Sequence, residues 1–307
     1  MIFIQLGAAF TQTTITTDNG DETVTIALEH GGNGPPLLLL HGYPQTHIMW
    51  HKLAPRLANH YHVICPDLRG YGDSSKPISK PNYVTYSKKA MSQDMMQVMA
   101  ALGYSHFFAA GHDRGARVLH RLARDYPHAL DKLCLMDIVP TLHMFQTVDQ
   151  SFATSYYHWF FLIQPDNLPE RMIAADPSYY LHEKLQRWSQ QDITFDAKFD
   201  EATVAEYVRC FQAADTLRAT CDDYRAAASI DLEHDNHDQD SKIICPLLIL
   251  WGKHGFIEKN YDVLDIWKQH TARNTPVVGE ALNCGHFLPE EVPDDVYNAL
   301  FKFFTTG

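Results

Sequence analysis

The chain has 307 residues, of which 45% are hydrophobic and 20% charged, and its formal net charge is −12. Such a chain can bury a sizeable core, and its negative balance excludes nucleic acid and anionic membrane surfaces as partners. The six cysteines are scattered without a C-x-x-C pair, and Cys65, Cys134 and Cys245 lie in or beside apolar runs. They read as buried thiols in a reducing compartment. The leading MIFIQLGAAF is apolar, yet it lacks a basic flank and is too short to span a bilayer, and no other stretch approaches ~20 apolar residues. A cytoplasmic location is expected, and these first residues receive no role.

In chain order, Thr14–Thr17 and Val24–Leu28 around Asn19-Gly20 predict a hairpin. Pro36–Leu40 is a continuous apolar run ending at His41-Gly42-Tyr43-Pro44, and Tyr61–Cys65 is another, followed by the turn-rich Arg69-Gly70-Tyr71-Gly72-Asp73-Ser74. Met91, Met95, Val98, Met99 and Leu102 mark a helix. His106–Ala110 reads as a short buried strand, and Ala116–Tyr126 carries Val118, Leu119, Leu122 and Ala123 at helical spacing before Pro127. Lys132–Met136 is a strand ending on Asp137, Pro246–Leu250 one ending at Trp251-Gly252, and Thr275–Val278 the last, with Val296–Phe304 the final helix. Alternating strands and helices of this kind predict a mostly parallel sheet covered on both faces.

Between Asp137 and Pro246 the pattern changes: no long β-branched run appears, and Tyr, Trp, His and charged residues dominate. Residues 138–225 are expected to form a helical cap over the strand ends, with 1–137 and 226–307 as the core. Residues 233–240 (EHDNHDQD) read as a solvated acidic loop, whose His234 and His237 lack flanking ligands, so neither a metal nor an organic cofactor is expected. No repeat, low-complexity tract or G-x-G-x-x-G pattern is present.

Chemistry concentrates at Gly111-His112-Asp113-Arg114-Gly115, between a strand and a helix. Gly-x-nucleophile-x-Gly in that setting is the nucleophile elbow of the α/β-hydrolase fold, here with a carboxylate at its centre. A carboxylate nucleophile displaces a leaving group from carbon and forms an alkyl ester on the enzyme. Asp113 then needs a base, an orienting acid and oxyanion donors. His286, after the last strand, stands where this fold places its base, and the order Asp113, Asp137, His286 matches nucleophile, acid, base. The strand ending at Trp251 is followed by Gly252-Lys253-His254-Gly255-Phe256 without an Asp, which leaves Glu258 as the competitor of Asp137. The backbone N–H groups of Tyr43 and Arg114 would form the oxyanion hole. Arg114 and Arg117, three residues apart, share a face beside Asp113, where two buried guanidiniums would need an anion such as a substrate carboxylate held by fork-shaped donors. Arg121 and Arg124 read as a solvated face.

These residues resemble the fluoroacetate dehalogenase family of the α/β-hydrolases: His41-Gly-Tyr-Pro-Gln45, Asp67-Leu-Arg-Gly-Tyr-Gly-Asp-Ser74, Gly111-His-Asp-Arg-Gly-Ala-Arg117, Asp137-Ile-Val-Pro140, His158-Trp159, Tyr224 and His286. The first two stretches are shared with epoxide hydrolases and haloalkane dehalogenases. Arg114 stands where those families typically carry Trp, which makes Asp-Arg-x-x-Arg with a His-Trp pair the more specific signal. The resemblance implies an eight-stranded, mostly parallel sheet with an inserted cap, and a halide pocket of His158, Trp159 and Tyr224. It further implies a homodimer acting on a small haloacid, with Asp113 as nucleophile and Arg114 and Arg117 on the carboxylate.

Three alternatives stay open. One is an epoxide hydrolase with the same nucleophile, Tyr224 as acid, and Tyr156, Tyr157 or Tyr180 as second tyrosine. The others are a dehalogenase preferring chloro- or bromoacids and a silent fold that binds a small acid.

Overall fold

The strands form where apolar runs can be covered on both sides. In a computed structural model, which describes residues 5–20 and 22–306, they are β1 (Phe10–Asp18), β2 (Thr23–Gly31), β3 (Pro36–Leu40), β4 (His62–Pro66), β5 (Phe107–His112), β6 (Leu130–Met136), β7 (Leu247–Gly252) and β8 (Val277–Leu282). One eight-stranded sheet results, in the order β1-β2-β4-β3-β5-β6-β7-β8. β1 pairs antiparallel with β2, and β2 antiparallel with β4. The other pairs are parallel. Every residue of β7 is buried, as expected of a central parallel strand, whereas edge strand β1 alternates. Each expected strand exists, β3 with the expected bounds and the others with ends displaced by up to four residues, as at the start of β1 (10 in place of 14) and the end of β8 (282 in place of 278).

Register decides where chemistry can sit. Leu40 lies beside Gly111, His112 beside Met136, and Met136 beside Leu250. The loops leaving β3, β5, β6 and β8 therefore emerge along one sheet edge, the place where open α/β sheets bind ligands. Asp113, Asp137 and His286 all follow these strand ends.

Between β6 and β7 every element is a helix, from Thr141–Gln146 through Ile230–His237. The expected boundary at 225 falls inside the helix Ala214–Ala227. Residues 233–237 belong to the helix Ile230–His237, which corrects the expectation of a loop there. Asp235 in that helix and Asp238 just beyond it pair with the helix Arg114–Asp125, which also corrects the expectation for Arg121 and Arg124. Arg121 Nη2 donates to Asp238 at 2.6 Å and Arg124 Nη1 to Asp235 at 2.5 Å, so both guanidiniums are buried. Among the described residues, no helix is long and apolar enough to cross a membrane.

Under the loop after β3 lies a buried charge cluster. The Asp67 carboxylate accepts from the backbone N–H of His47 at 2.8 Å and meets its Nδ1 at 2.9 Å, while Glu29 lies 3.5 Å from His47 Nε2. Burial alone would pull the His47 pKa down, but Asp67 and then Glu29 hold it up, to about 10. The stabilisation from its charge is thus complete below the ordinary histidine range and is lost as pH rises through about 10. His47→Leu strands two buried carboxylates and is expected to cost about 3–5 kcal/mol. Urea unfolding at pH 7 checks this, and the gap to the wild type should narrow above pH ~10.

Candidate active site

The elbow is a close crossing of three backbones. Asp113 has φ 48° and ψ −115°, a conformation costly for a side-chain-bearing residue. A Cβ on Gly42 would stand 2.5 Å from Asp113 Cβ, and one on Gly115 would stand 2.4 Å from the His41 carbonyl oxygen. Glycine at these positions lets the loop after β3 press against the elbow. As a result, the Tyr43 N–H donates to Asp113 Oδ1 at 2.9 Å. His41 supports that loop as a neutral imidazole: Nδ1 donates to the Gly42 carbonyl at 3.1 Å and Nε2 accepts from the Leu68 N–H at 3.0 Å.

The structure brings Asp113, Asp137 and His286 together. His286 Nδ1 meets Asp137 Oδ2 at 2.5 Å, and Nε2, buried without a hydrogen-bond partner, faces Asp113 Oδ2 at 3.8 Å. The other Asp137 oxygen accepts from the Gly252 N–H at 2.9 Å, which orients the carboxylate. Glu258 is occupied elsewhere, accepting from Trp251 Nε1. Burial works against a charged His286, but Asp137 and then Asp113 raise its pKa above the ordinary value. Burial likewise opposes ionisation of Asp113, yet His286, His112, Arg114 and Arg117 together hold its carboxyl below the usual range.

The histidine loop is pinned by residues that the sequence did not single out. His112 Nε2 donates to the His286 carbonyl at 2.7 Å, and the His286 N–H donates to the Trp188 carbonyl at 2.7 Å. Glu291 accepts from the N–H groups of Gly285, Phe287 and Gln190. Its position five residues after His286 was the available signal, since a base on a loop needs something to fix its backbone.

Both arginines are buried, but their forks are already engaged. Arg114 donates through Nε to Asp223 Oδ2 at 2.8 Å and through Nη2 to Oδ1 at 2.6 Å. Arg117 donates through Nη1 to the Val139 carbonyl at 3.0 Å and to Thr141 Oγ1 at 2.9 Å, and its Nη2 faces Met144 Sδ. What remains free and buried is Arg114 Nη1 and Arg117 Nε. The expected pair of fork-shaped donors is thereby corrected to two single donor atoms. Asp223 was missed by the sequence reading; a buried Arg114 called for an anion, and the carboxylate next to Tyr224 was a candidate.

His158, Trp159 and Tyr224 lie together, all buried. The His158 ring is 5.6 Å from that of Tyr224, Trp159 is 6.4 Å from Tyr224, and the guanidiniums of Arg114 and Arg117 sit over Tyr224 at 4.3 Å and Trp159 at 4.8 Å. Burial, then the charge of Lys184, pushes the His158 pKa far below its ordinary value, so its imidazole is neutral. A cavity of about 730 Å³ is lined by Asp113, Tyr156, His158, Trp188 and His286 among others, and Trp159, Tyr224, Arg114 and Arg117 lie behind its wall. Tyr157 is partly exposed and accepts from Lys184, and Tyr180 stacks on Phe211. Among the described residues, no group of three or more His, Cys, Asp or Glu could hold a metal ion.

A strained acid at a strand–helix elbow, a histidine–aspartate pair and a backbone donor thus converge at one point of the sheet edge. A family model described as alpha/beta hydrolase fold matches residues 35–293. The chain is 39% identical to a fluoroacetate dehalogenase from Burkholderia sp over 94% of this chain and 92% of that protein. It is 34% identical to a soluble epoxide hydrolase from Corynebacterium sp. (strain C12), over 89% and 91%. The crystal structure of ALR0039 from Nostoc sp PCC 7120 superposes with a TM-score of 0.92 at 54% identity, covering 97% of this chain and 99% of that one. The chain belongs to the α/β-hydrolase-fold family, and within it is similar to fluoroacetate dehalogenase.

Proposed function

We propose that this hydrolase cleaves the carbon–halogen bond of short 2-haloacids, fluoroacetate to glycolate and fluoride among them. The observation that carries the reading is the pair of buried, unpartnered guanidinium donors, Arg114 Nη1 and Arg117 Nε, beside the Asp113 carboxylate. Each unsatisfied donor costs about 1–3 kcal/mol, and a substrate carboxylate relieves both. Burial, then the like charge of Arg114, already draws the Arg117 pKa below its usual value, and an anion between them offsets that repulsion.

The mechanism follows from which oxygen is free. Asp113 Oδ1 is held by the Tyr43 N–H, so Oδ2 attacks the halogen-bearing carbon from behind. The new C–O bond forms as the C–X bond breaks, and the halide leaves with the electron pair toward the N–H and O–H groups of His158, Trp159 and Tyr224. A small, hard anion such as fluoride depends on such donors. Water then gives a proton to His286 Nε2 and attacks the ester carbon. The oxyanion forms on Oδ1, where the Tyr43 N–H already points, with the Arg114 N–H as second donor. Collapse expels glycolate, which takes the proton back from His286. The carboxylic acid left on Asp113 gives its remaining proton by way of His286 to solvent, which restores the carboxylate.

Epoxide opening is the second reading, favoured by the 34% identity to the Corynebacterium enzyme and by Tyr156 on the cavity wall. It leaves the two guanidinium donors without a role.

Mass spectrometry of Asp113 after incubation with fluoroacetate, chloroacetate and styrene oxide separates these readings. His286→Asn is expected to accumulate a haloacid-derived ester and Asp113→Asn none. An unmodified His286→Asn protein, with the wild type active, would overturn the mechanism. The pH dependence is a second check. Hydrolysis needs neutral His286, whose pKa is raised in the free enzyme partly by the Asp113 charge. Esterification removes that charge, so ester hydrolysis, followed in single turnover, should show an acid limb at lower pH than the His286 pKa titrated in the free enzyme, and Asp137→Asn should lower both. Arg117→Lys cannot keep the bonds to Val139 and Thr141 while presenting a donor at the Nε position. Its kcat/KM on haloacetate should fall by about 10–100-fold, the worth of a charged hydrogen bond of ~1.5–3 kcal/mol.

A further inference from the structure

We propose that Asp223 is a positioning residue that decides which edge of Arg114 is free to meet a substrate carboxylate, and that it ties the carboxylate end of the site to its halide end. The inference rests on the haloacid reading above. Asp223 lies on the helix Ala214–Ala227 and is fully buried. Its two carboxylate oxygens accept from Arg114 Nε and Nη2, and its backbone carbonyl accepts from Nη2 again at 2.9 Å. Three bonds therefore consume one edge of the guanidinium and leave Nη1 as the buried donor.

The carboxylate that directs Arg114 is itself held from two other elements. Tyr71, from the loop after β4, donates its hydroxyl to Asp223 Oδ2 at 2.6 Å. Lys88, at the start of the helix Lys88–Ala101, donates to Oδ1 and also lies 3.4 Å from Asp231. Without Asp223, Lys88 keeps Asp231 as a partner, but Arg114 does not have an equivalent. The remaining carboxylate on which its charge bears is Asp113. A guanidinium laid on Asp113 would mask the nucleophile and withdraw the donor for substrate. The neighbouring residue, Tyr224, carries its ring under Arg114, so a shift of Asp223 moves the carboxylate donor and a halide donor together.

The test compares rates of Asp113 labelling by chloroacetate and by its uncharged analogue chloroacetamide, in the His286→Asn background. Adding Asp223→Asn should lower the chloroacetate rate about tenfold or more beyond any loss on the amide, the scale of one charged contact. Lys88→Met, which acts one step further out, should leave the ratio within about twofold. Equal losses on both reagents would mean that Asp223 only stabilises the fold and would overturn the assignment. If the protein with Asp223 intact shows no preference for the acid over the amide, the haloacid reading itself fails, a different result. Should Asp223→Asn not fold, Asp223→Asn with Lys88→Met removes one buried charge of each sign and is read in the same way.

Discussion

The site hangs on the strained backbone of Asp113. With φ at 48°, the residue turns its carboxylate out of the sheet plane at a cost of roughly 1–3 kcal/mol, which the packing around it must offset. That packing is a contact of main chains, possible because Gly42 and Gly115 lack a Cβ. The same contact brings the Tyr43 N–H to Asp113 Oδ1 and so distinguishes the two carboxylate oxygens before any substrate arrives. In the proposed mechanism, strain, oxyanion donor and choice of attacking oxygen thus share one geometric origin.

Around this point the molecule buries several charged groups and fixes each by a partner on a different element. His47 rests between Asp67 and Glu29, Arg114 on Asp223, and Asp223 in turn on Lys88 and Tyr71. Buried ion pairs contribute little net stability, because desolvation consumes much of their attraction. What they give here is direction. An anchored guanidinium presents one donor along one line, and an anchored histidine loop presents Nε2 toward Asp113. For a chain with a net charge of −12, local cations held in this way would also supply the field that the proposed anionic substrate needs.

The difference between opening an epoxide and displacing a halide from an acid lies outside the shared nucleophile, histidine and aspartate. An epoxide asks for an acid on its ring oxygen, while a haloacid asks for donors to a carboxylate at one end and to a halide at the other. Arg114 and Arg117 lie over the rings of Tyr224 and Trp159, so the two sets of donors that the proposed haloacid reading calls for would form one packed unit.

Sequence alone determined the parts of this protein whose signal is local. The elbow was legible because glycine spacing reports a backbone that must turn tightly, and the parallel sheet because strands covered on both faces read as continuous apolar runs. Asp137 was legible from its place after a strand, since strand ends fix where side chains emerge. The tertiary structure alone decided what depends on contacts between distant residues. Arg121 and Arg124 are buried because acidic residues in and just after a helix more than 100 residues later in the chain pair with them, and 233–237 reads as a loop only until those partners exist. In the same way, the donor atoms left free on Arg114 and Arg117 follow from Asp223, Val139 and Thr141 taking the others. A sequence names the charged groups, but which of their hydrogens remain unused is set by packing, because each buried donor must first find its partner in three dimensions.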